Sequence, residues 1–153
     1  MKNLLFSAIG LLTLQSAIAQ DSTRATNPFT ISGYVEVYYT QDFNRPENNT
    51  TPSFLYNFNR TNEVNLNLGF IKANYSTERV RANIAFAAGT YMNANYSAEP
   101  GVLKNVYEAN VGIKLSEKSN LWLDAGIMPS HIGFESAVGK DNWALSRSLL
   151  AEN

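Results

Sequence analysis

NEVNLNLGFIKANYSTERVRANIAFAAGTY, residues 62–91, is the stretch whose periodicity decides the fold. Val64, Leu66, Leu68 and Phe70 fall on every second position, with Glu63, Asn65, Asn67 and Gly69 between them. After Ser76-Thr77-Glu78 the alternation resumes. Val80, Ala82, Ile84, Phe86 and Ala88 share one face; Arg81, Asn83, Ala85, Ala87 and Gly89 share the other. A period of two belongs to a β-strand, whose successive side chains point to opposite faces. Two such strands across a three- or four-residue turn make a hairpin. A water-soluble sheet buries its apolar face in a core, whereas a membrane barrel turns that face to lipid and keeps the polar face on its lumen. On the membrane reading, Val64, Leu66, Leu68, Ile84 and Phe86 face lipid. The first strand has a break in phase, because Ile71, Ala73 and Tyr75 continue on the opposite parity from Phe70. A β-bulge near Phe70 would put Tyr75 on the apolar face and Lys72 on the polar one. Without a bulge, Lys72 faces out close to the turn, where a lipid-facing lysine costs only about 0–1 kcal/mol. Both readings fit the residues.

The 153 residues suffice for one domain. There is no cysteine, hence no disulfide framework, no cysteine metal site and no thiol nucleophile. The net charge of -1 argues against a nucleic-acid partner held through phosphates. Charged residues make up 16% and aromatics 12%, a balance that suits a β protein with many half-buried rings. Residues 1–19 read as a signal peptide: Lys2 is the positive start, Leu4 to Leu14 the apolar run and Ala17-Ile18-Ala19 the cleavage site. The apolar run is too short for an anchor helix, which needs about 20 apolar residues. Cleavage leaves residues 20–153, with 11 basic and 13 acidic side chains. No later stretch reads as a transmembrane helix, so any membrane span must be made of strands.

Outward from the central hairpin, Phe29 to Tyr39 alternates with Phe29, Ile31, Gly33, Val35, Val37 and Tyr39 against Thr30, Ser32, Tyr34, Glu36 and Tyr38. Gln41 to Thr61 reads as a long loop whose Phe54-Leu55-Tyr56 folds back onto the rim or into the lumen. Met92 to Lys104 reads as a second long loop. Tyr107, Ala109, Val111, Ile113 and Leu115 then alternate with Glu108, Asn110, Gly112 and Lys114. After a polar turn at Ser116 to Asn120, Leu121, Leu123, Ala125 and Ile127 alternate with Trp122, Asp124, Gly126 and Met128, until Pro129 stops the strand. Long and short connections alternate, so all long ones lie on one side, as in outer-membrane barrels. The expected fold is therefore all-β: an antiparallel up-and-down transmembrane β-barrel of which about five strands are present. Since the smallest barrels have about 8 strands, residues 20–153 are expected to be the N-terminal part of a longer barrel.

The segments ISGYVEVYY at 31–39, VRANIAFAAGTY at 80–91, GIMPSHIGFES at 126–136 and DNW at 141–143 resemble the "putative β-barrel porin 2" family of Gram-negative outer membranes. The alternating strands are shared by any barrel; the stretch from Pro129 to Trp143 is more specific. The resemblance implies a single-chain outer-membrane barrel with channel function and no catalytic residues.

The polar face supplies the candidate pore lining: Glu36, Glu63, Asn65, Asn67, Arg81, Asn83, Glu108, Lys114 and Asp124. Glu36, Glu63, Glu108 and Asp124 could also suggest a cation site, but a hard cation needs several oxygens converging on one point. A mixed-charge, water-filled lumen fits better, and no metal or cofactor is expected. Ser130-His131 with Asp141 or Asn142 nearby invites a hydrolase triad, yet adjacent residues of an extended chain point apart and no nucleophile elbow is present; the protein reads as no enzyme. Tyr39, Tyr75, Tyr91 and Tyr107 near strand ends suit an aromatic girdle at the headgroups, although tyrosine is also simply a good strand residue. Pro129 to Asn153 carries Ile132, Phe134, Val138, Trp143, Leu145, Leu149 and Leu150, too many apolar groups for a solvated loop. It is expected to fold into the barrel mouth against Trp122, Gly126 and Met128, with a short helix from Asp141. Glu135, Lys140, Asp141, Trp143 and Arg147 would then stand at a constriction. The expected partners are outer-membrane lipid and small polar solutes or ions, with a homo-oligomer compatible with this reading. The alternative is a non-channel barrel acting as a surface binding or structural protein.

Overall fold

The computed structural model describes residues 27–130, 133–144, 146–148 and 151. The expected signal peptide at residues 1–19 lies outside them, as do residues 20–26, His131, Ile132, Leu145, Leu149, Leu150, Glu152 and Asn153. Five strands form one antiparallel sheet in sequence order: β1 (Phe29–Tyr39), β2 (Val64–Ser76), β3 (Val80–Ala88), β4 (Val106–Ser116) and β5 (Leu121–Ile127). The sheet is not closed among the described residues, as in part of a barrel. A helix α1 (Thr90–Asn95) and a 3-10 turn at Gly101–Asn105 interrupt the second long connection, which the sequence pattern reads as plain loop. No helix among the described residues is long and apolar enough to cross a membrane.

The two short turns close on local bonds. Between β2 and β3, Thr77 N donates to Val80 O (2.8 Å) while Val80 N donates back to Thr77 Oγ1 (3.1 Å). Between β4 and β5, Asn120 takes φ 45, a conformation asparagine tolerates.

The sheet has two unlike faces. Val35 and Val64 are each 72% exposed on the outer one, alongside Ile31, Val37, Ile71, Ile84, Phe86, Val111, Ile113 and Leu123. The inner face is the one on which α1 and the long loops pack. There Leu68, Ala87, Tyr91, Met92 and Val138 form a buried cluster flanked by Tyr34, Tyr56, Phe70, Tyr96 and Tyr107.

Register explains the phase break in β2. Glu36 pairs with Leu68 but Val37 pairs with Leu66, so Asn67 is an extra residue on β2. The bulge lies at Asn67, three positions ahead of Phe70. It leaves Val64 and Leu66 on the outer face, turns Leu68 and Phe70 inward, and then sends Ile71 and Tyr75 out and Lys72 in. Leu68 is accordingly not on the outer face with Val64, Ile84 and Phe86: it is 0% exposed, inside the cluster. A second bulge on β4, where Ala85 pairs with Glu108 but Phe86 with Val106, makes Tyr107 the extra residue and turns it inward. Two of the four expected girdle tyrosines therefore belong to the interior, Tyr107 through its bulge and Tyr91 through α1, while Tyr39 and Tyr75 stay exposed.

Candidate functional site

The inner face carries a ladder of polar pairs from the short-turn end to the loop end. Nearest the turns, Arg81 on β3 grips Asp124 on β5, with Arg81 Nε donating to Asp124 Oδ1 at 2.7 Å. These strands are not neighbours; Gly112 of β4 pairs with both residues and lies between them. A Cβ on Gly112 would sit 2.1 Å from Asp124 Oδ1 and 2.9 Å from Arg81 Cγ, so the bridge needs this glycine. Arg81 also stacks over Trp122, its Cζ 4.5 Å from the ring centroid, and Lys114 Nζ stands 5.7 Å from the same ring. One level up, Asn83 Nδ2 donates to Asn110 Oδ1 at 2.8 Å.

The strand-skipping arrangement recurs. Lys72 of β2 meets Glu108 of β4 at 2.6 Å, passing over Ala85 of β3, which pairs with both. Phe70 of β2 stacks on Tyr107 of β4 at 5.6 Å, with Ala87 of β3 opposite Phe70. Strands two apart in a flat sheet are about 9.5 Å apart, so each contact needs a small residue beneath it and is favoured by a sheet that curves toward its inner face. The alanines and the glycine of β3 and β4 are thus the spacers of the ladder.

At the loop end the ladder becomes a latch. Tyr34 OH donates to Glu36 Oε1 (2.9 Å) and Asn67 Nδ2 donates to Glu36 Oε2 (2.6 Å). Asn67 Nδ2 also donates to Asn57 Oδ1 (3.0 Å), and its Oδ1 accepts from Phe58 N (3.0 Å), which ties the first long loop to the bulge. The backbone at Gly139 lies against the Glu36 carboxylate, and Val138 fills the cluster beside it. Gly89 (φ 138) lets the chain leave β3 directly over the Asn67 carbonyl and start α1. Burial pushes the Tyr96 phenol up, helped by the Glu108 carboxylate.

Of the residues singled out in the sequence, Glu36, Asn65, Asn67, Arg81, Asn83, Glu108, Lys114 and Asp124 share the inner face, while Glu63 lies in the connection just before β2 and pairs with Arg60 at 2.6 Å. The four carboxylates do not converge: each is held by its own partner, and no group of three metal-ligating side chains occurs among the described residues. The third long segment does cross the inner face, but by a different contact. Val138 packs on Leu68, Ala87, Tyr91 and Met92, whereas Met128 and Gly126 are exposed and Trp122 is taken by the cations. Asp141 ends a 3-10 turn (Gly139–Asp141) and starts no helix among the described residues. Glu135 accepts from Ser148 Oγ, Lys140 pairs with Asp141, Trp143 is fully exposed, and Arg147 lies over the Tyr91 ring at 5.4 Å. The Lys72–Glu108 pair and α1 were not singled out in the sequence. Locating the bulge would have found the first; nothing in GTYMNANYS marks the second.

The family described as "Putative beta-barrel porin-2, OmpL-like" matches residues 28–153. Neither a curated protein nor a solved structure matches the chain.

Proposed function

This chain belongs to the β-barrel porin-2 family, and on that premise we propose that it forms part of an outer-membrane barrel acting as a passive diffusion channel for small polar solutes. One observation carries the reading: the sheet is apolar and exposed on one face and polar and charge-compensated on the other. The apolar face spans all five strands, which a water-soluble surface does not tolerate. Strands β1, β3 and β4, of 11, 9 and 11 residues, match the about 9–11 residues of a tilted membrane strand, while β2 with 13 is longer and β5 with 7 shorter.

On this reading Glu36, Asn65, Asn67, Arg81, Asn83, Glu108, Lys114 and Asp124 line the water path, and Glu63 stands at its mouth. The segment that follows Pro129 narrows it, with Glu135, Lys140, Asp141, Trp143 and Arg147 at the narrowing. The wall charges cancel: Lys72, Arg81 and Lys114 against Glu36, Glu108 and Asp124. Ion selectivity is then weak, and size is the main filter. The protein reaches the outer membrane by its signal peptide.

Planar-bilayer recording of the purified protein tests the reading. Stable single-channel steps with near-equal cation and anion permeability support it; a folded protein without conductance sinks it. The packed cluster of Leu68, Tyr91, Met92 and Val138 favours the second reading, a filled barrel whose loops bind at the cell surface. A channel should widen when residues 133–149 are deleted, whereas a filled barrel should stay silent.

A further inference from the structure

An open cleft of about 1130 Å³ lies between the first long loop and α1. Its volume exceeds the about 300–1,000 Å³ that holds a drug-sized ligand. The helix divides its residues between two tasks. Tyr91 and Met92 are buried in the cluster, while Asn93 and Asn95 line the cleft. Thr51 and Ser53 face them from the loop, and Leu55 and Tyr56 add an apolar strip. The lining has one cation and one anion, Arg60 and Glu63, and they neutralise each other at 2.6 Å.

Hydroxyls and amides both donate and accept. A lining of them, with charges already paired, recognises a solute of the same kind and has no free countercharge for an ion. Asn59, also in the lining, has its Oδ1 buried without a hydrogen-bond partner. Such an atom carries a cost, and the same amide donates through Nδ2 to Thr90 O (3.5 Å), so the unsatisfied acceptor stands where the loop meets α1 along the cleft. Leu55 and Tyr56 suit the C–H face of a sugar ring.

We propose that this cleft is a subsite for neutral oligosaccharides at the mouth of the barrel. The inference rests on the channel reading for its role in uptake, and its test separates the two. Raffinose binding to the detergent-solubilised protein is measured by calorimetry, with citrate as a charged solute of smaller size, and ion conductance is recorded in parallel.

Raffinose should bind saturably and citrate should not. Asn93 is exposed on α1, so Asn93→Ala leaves the fold intact, and Ser53, exposed in the loop lining, loses only its hydroxyl in Ser53→Ala. Each should weaken raffinose binding by about two- to tenfold, the worth of one hydrogen bond, while ion conductance and the heat-modifiable gel mobility of a folded barrel stay unchanged. Absence of saturable raffinose binding, citrate binding as tight as raffinose, or raffinose affinity indifferent to both substitutions overturns the subsite. Raffinose binding that responds to both substitutions in a protein without conductance would retain the subsite and remove the channel.

Discussion

The two ends of the inner face are built on different principles. At the short-turn end, Arg81 meets Asp124 and Trp122, Lys114 nears the same ring, and Asn83 meets Asn110, side chain to side chain. At the loop end, Leu68, Tyr91, Met92 and Val138 pack like the core of a water-soluble domain, and Glu36 and Asn67 clamp two loops onto them. The same sheet makes both, and the bulges at Asn67 and Tyr107 mark the change. Below them the faces alternate, with one further register shift between Lys114 and Ser116 where β4 enters its turn. At each bulge two consecutive residues, Asn67-Leu68 and Tyr107-Glu108, serve the inner face, which gives the loops something to pack on.

The contrast breaks most directly at Leu68. Leu68→Ala should cost about 2–5 kcal/mol, the range for a fully buried leucine, by denaturant unfolding in lipid vesicles. Asn83→Ala, at the open end, should cost about 1 kcal/mol, one hydrogen bond's worth. Equal losses would mean that the loop end is no more packed than the turn end.

A second test sets the faces against each other at one height. Ile84 is exposed at the middle of the outer face of β3, and Asn83 beside it faces inward. Ile84→Arg should destabilise the inserted barrel by about 2–4 kcal/mol, the midplane cost of a lipid-facing arginine, and Asn83→Arg far less. The same unfolding assay in detergent, where the arginine can reach water, should shrink the difference.

These residues also show what was legible in the sequence. All five strands, both short turns and the polar side of β1, β3 and β5 follow from a period of two, because alternation is imposed by the backbone itself. The inward turn of Leu68 was not legible. A bulge adds one residue, and VNLNLGFIKANY alternates equally well with the extra residue at Asn67 or at Phe70. Only the pairing with β1 and the demand of Val138 and Met92 for a packing partner settle it. The loop contacts were legible only in outline: apolar content said that Pro129 to Asn153 packs somewhere, but the choice of Leu68 over Trp122 depends on Trp122 being occupied by Arg81.

A third test acts within the turn end alone. Gly112→Ala should part Arg81 from Asp124, because the new Cβ would occupy the space of the carboxylate. The pair is partly exposed, so the loss should be small, below that of Leu68→Ala or Ile84→Arg. In an Asp124→Asn background the same substitution should cost almost nothing, since the bridge it displaces is already weakened. An undiminished cost there would place the glycine's role in the strand itself.

The smallest effect belongs to the rim, outside both ends. Arg60 donates to Glu63 Oε1 at 2.6 Å, and Asn65 Nδ2 donates to the same oxygen at 2.8 Å. The hydrogen bond from Arg60 is the main cause that holds the Glu63 carboxyl below the usual glutamate range. A depressed carboxyl stabilises the folded loop fully above its unfolded value, and the contribution is lost as pH falls through the folded one. Arg60 also reaches Asn48 O (3.2 Å), so the pair helps hold the first loop near the strand. Hydrogen exchange of residues 48–60 should therefore quicken as pH falls below the glutamate range, after correction for the intrinsic pH dependence of exchange. The pair is exposed, so added salt should reduce the effect, and Glu63→Gln should abolish its pH dependence. The buried amides of Asn67 and Leu68 should show no such change, because their protection comes from the packed cluster and not from the rim. A pH response of equal size at Leu68 would mean that the loop and the cluster open as one unit.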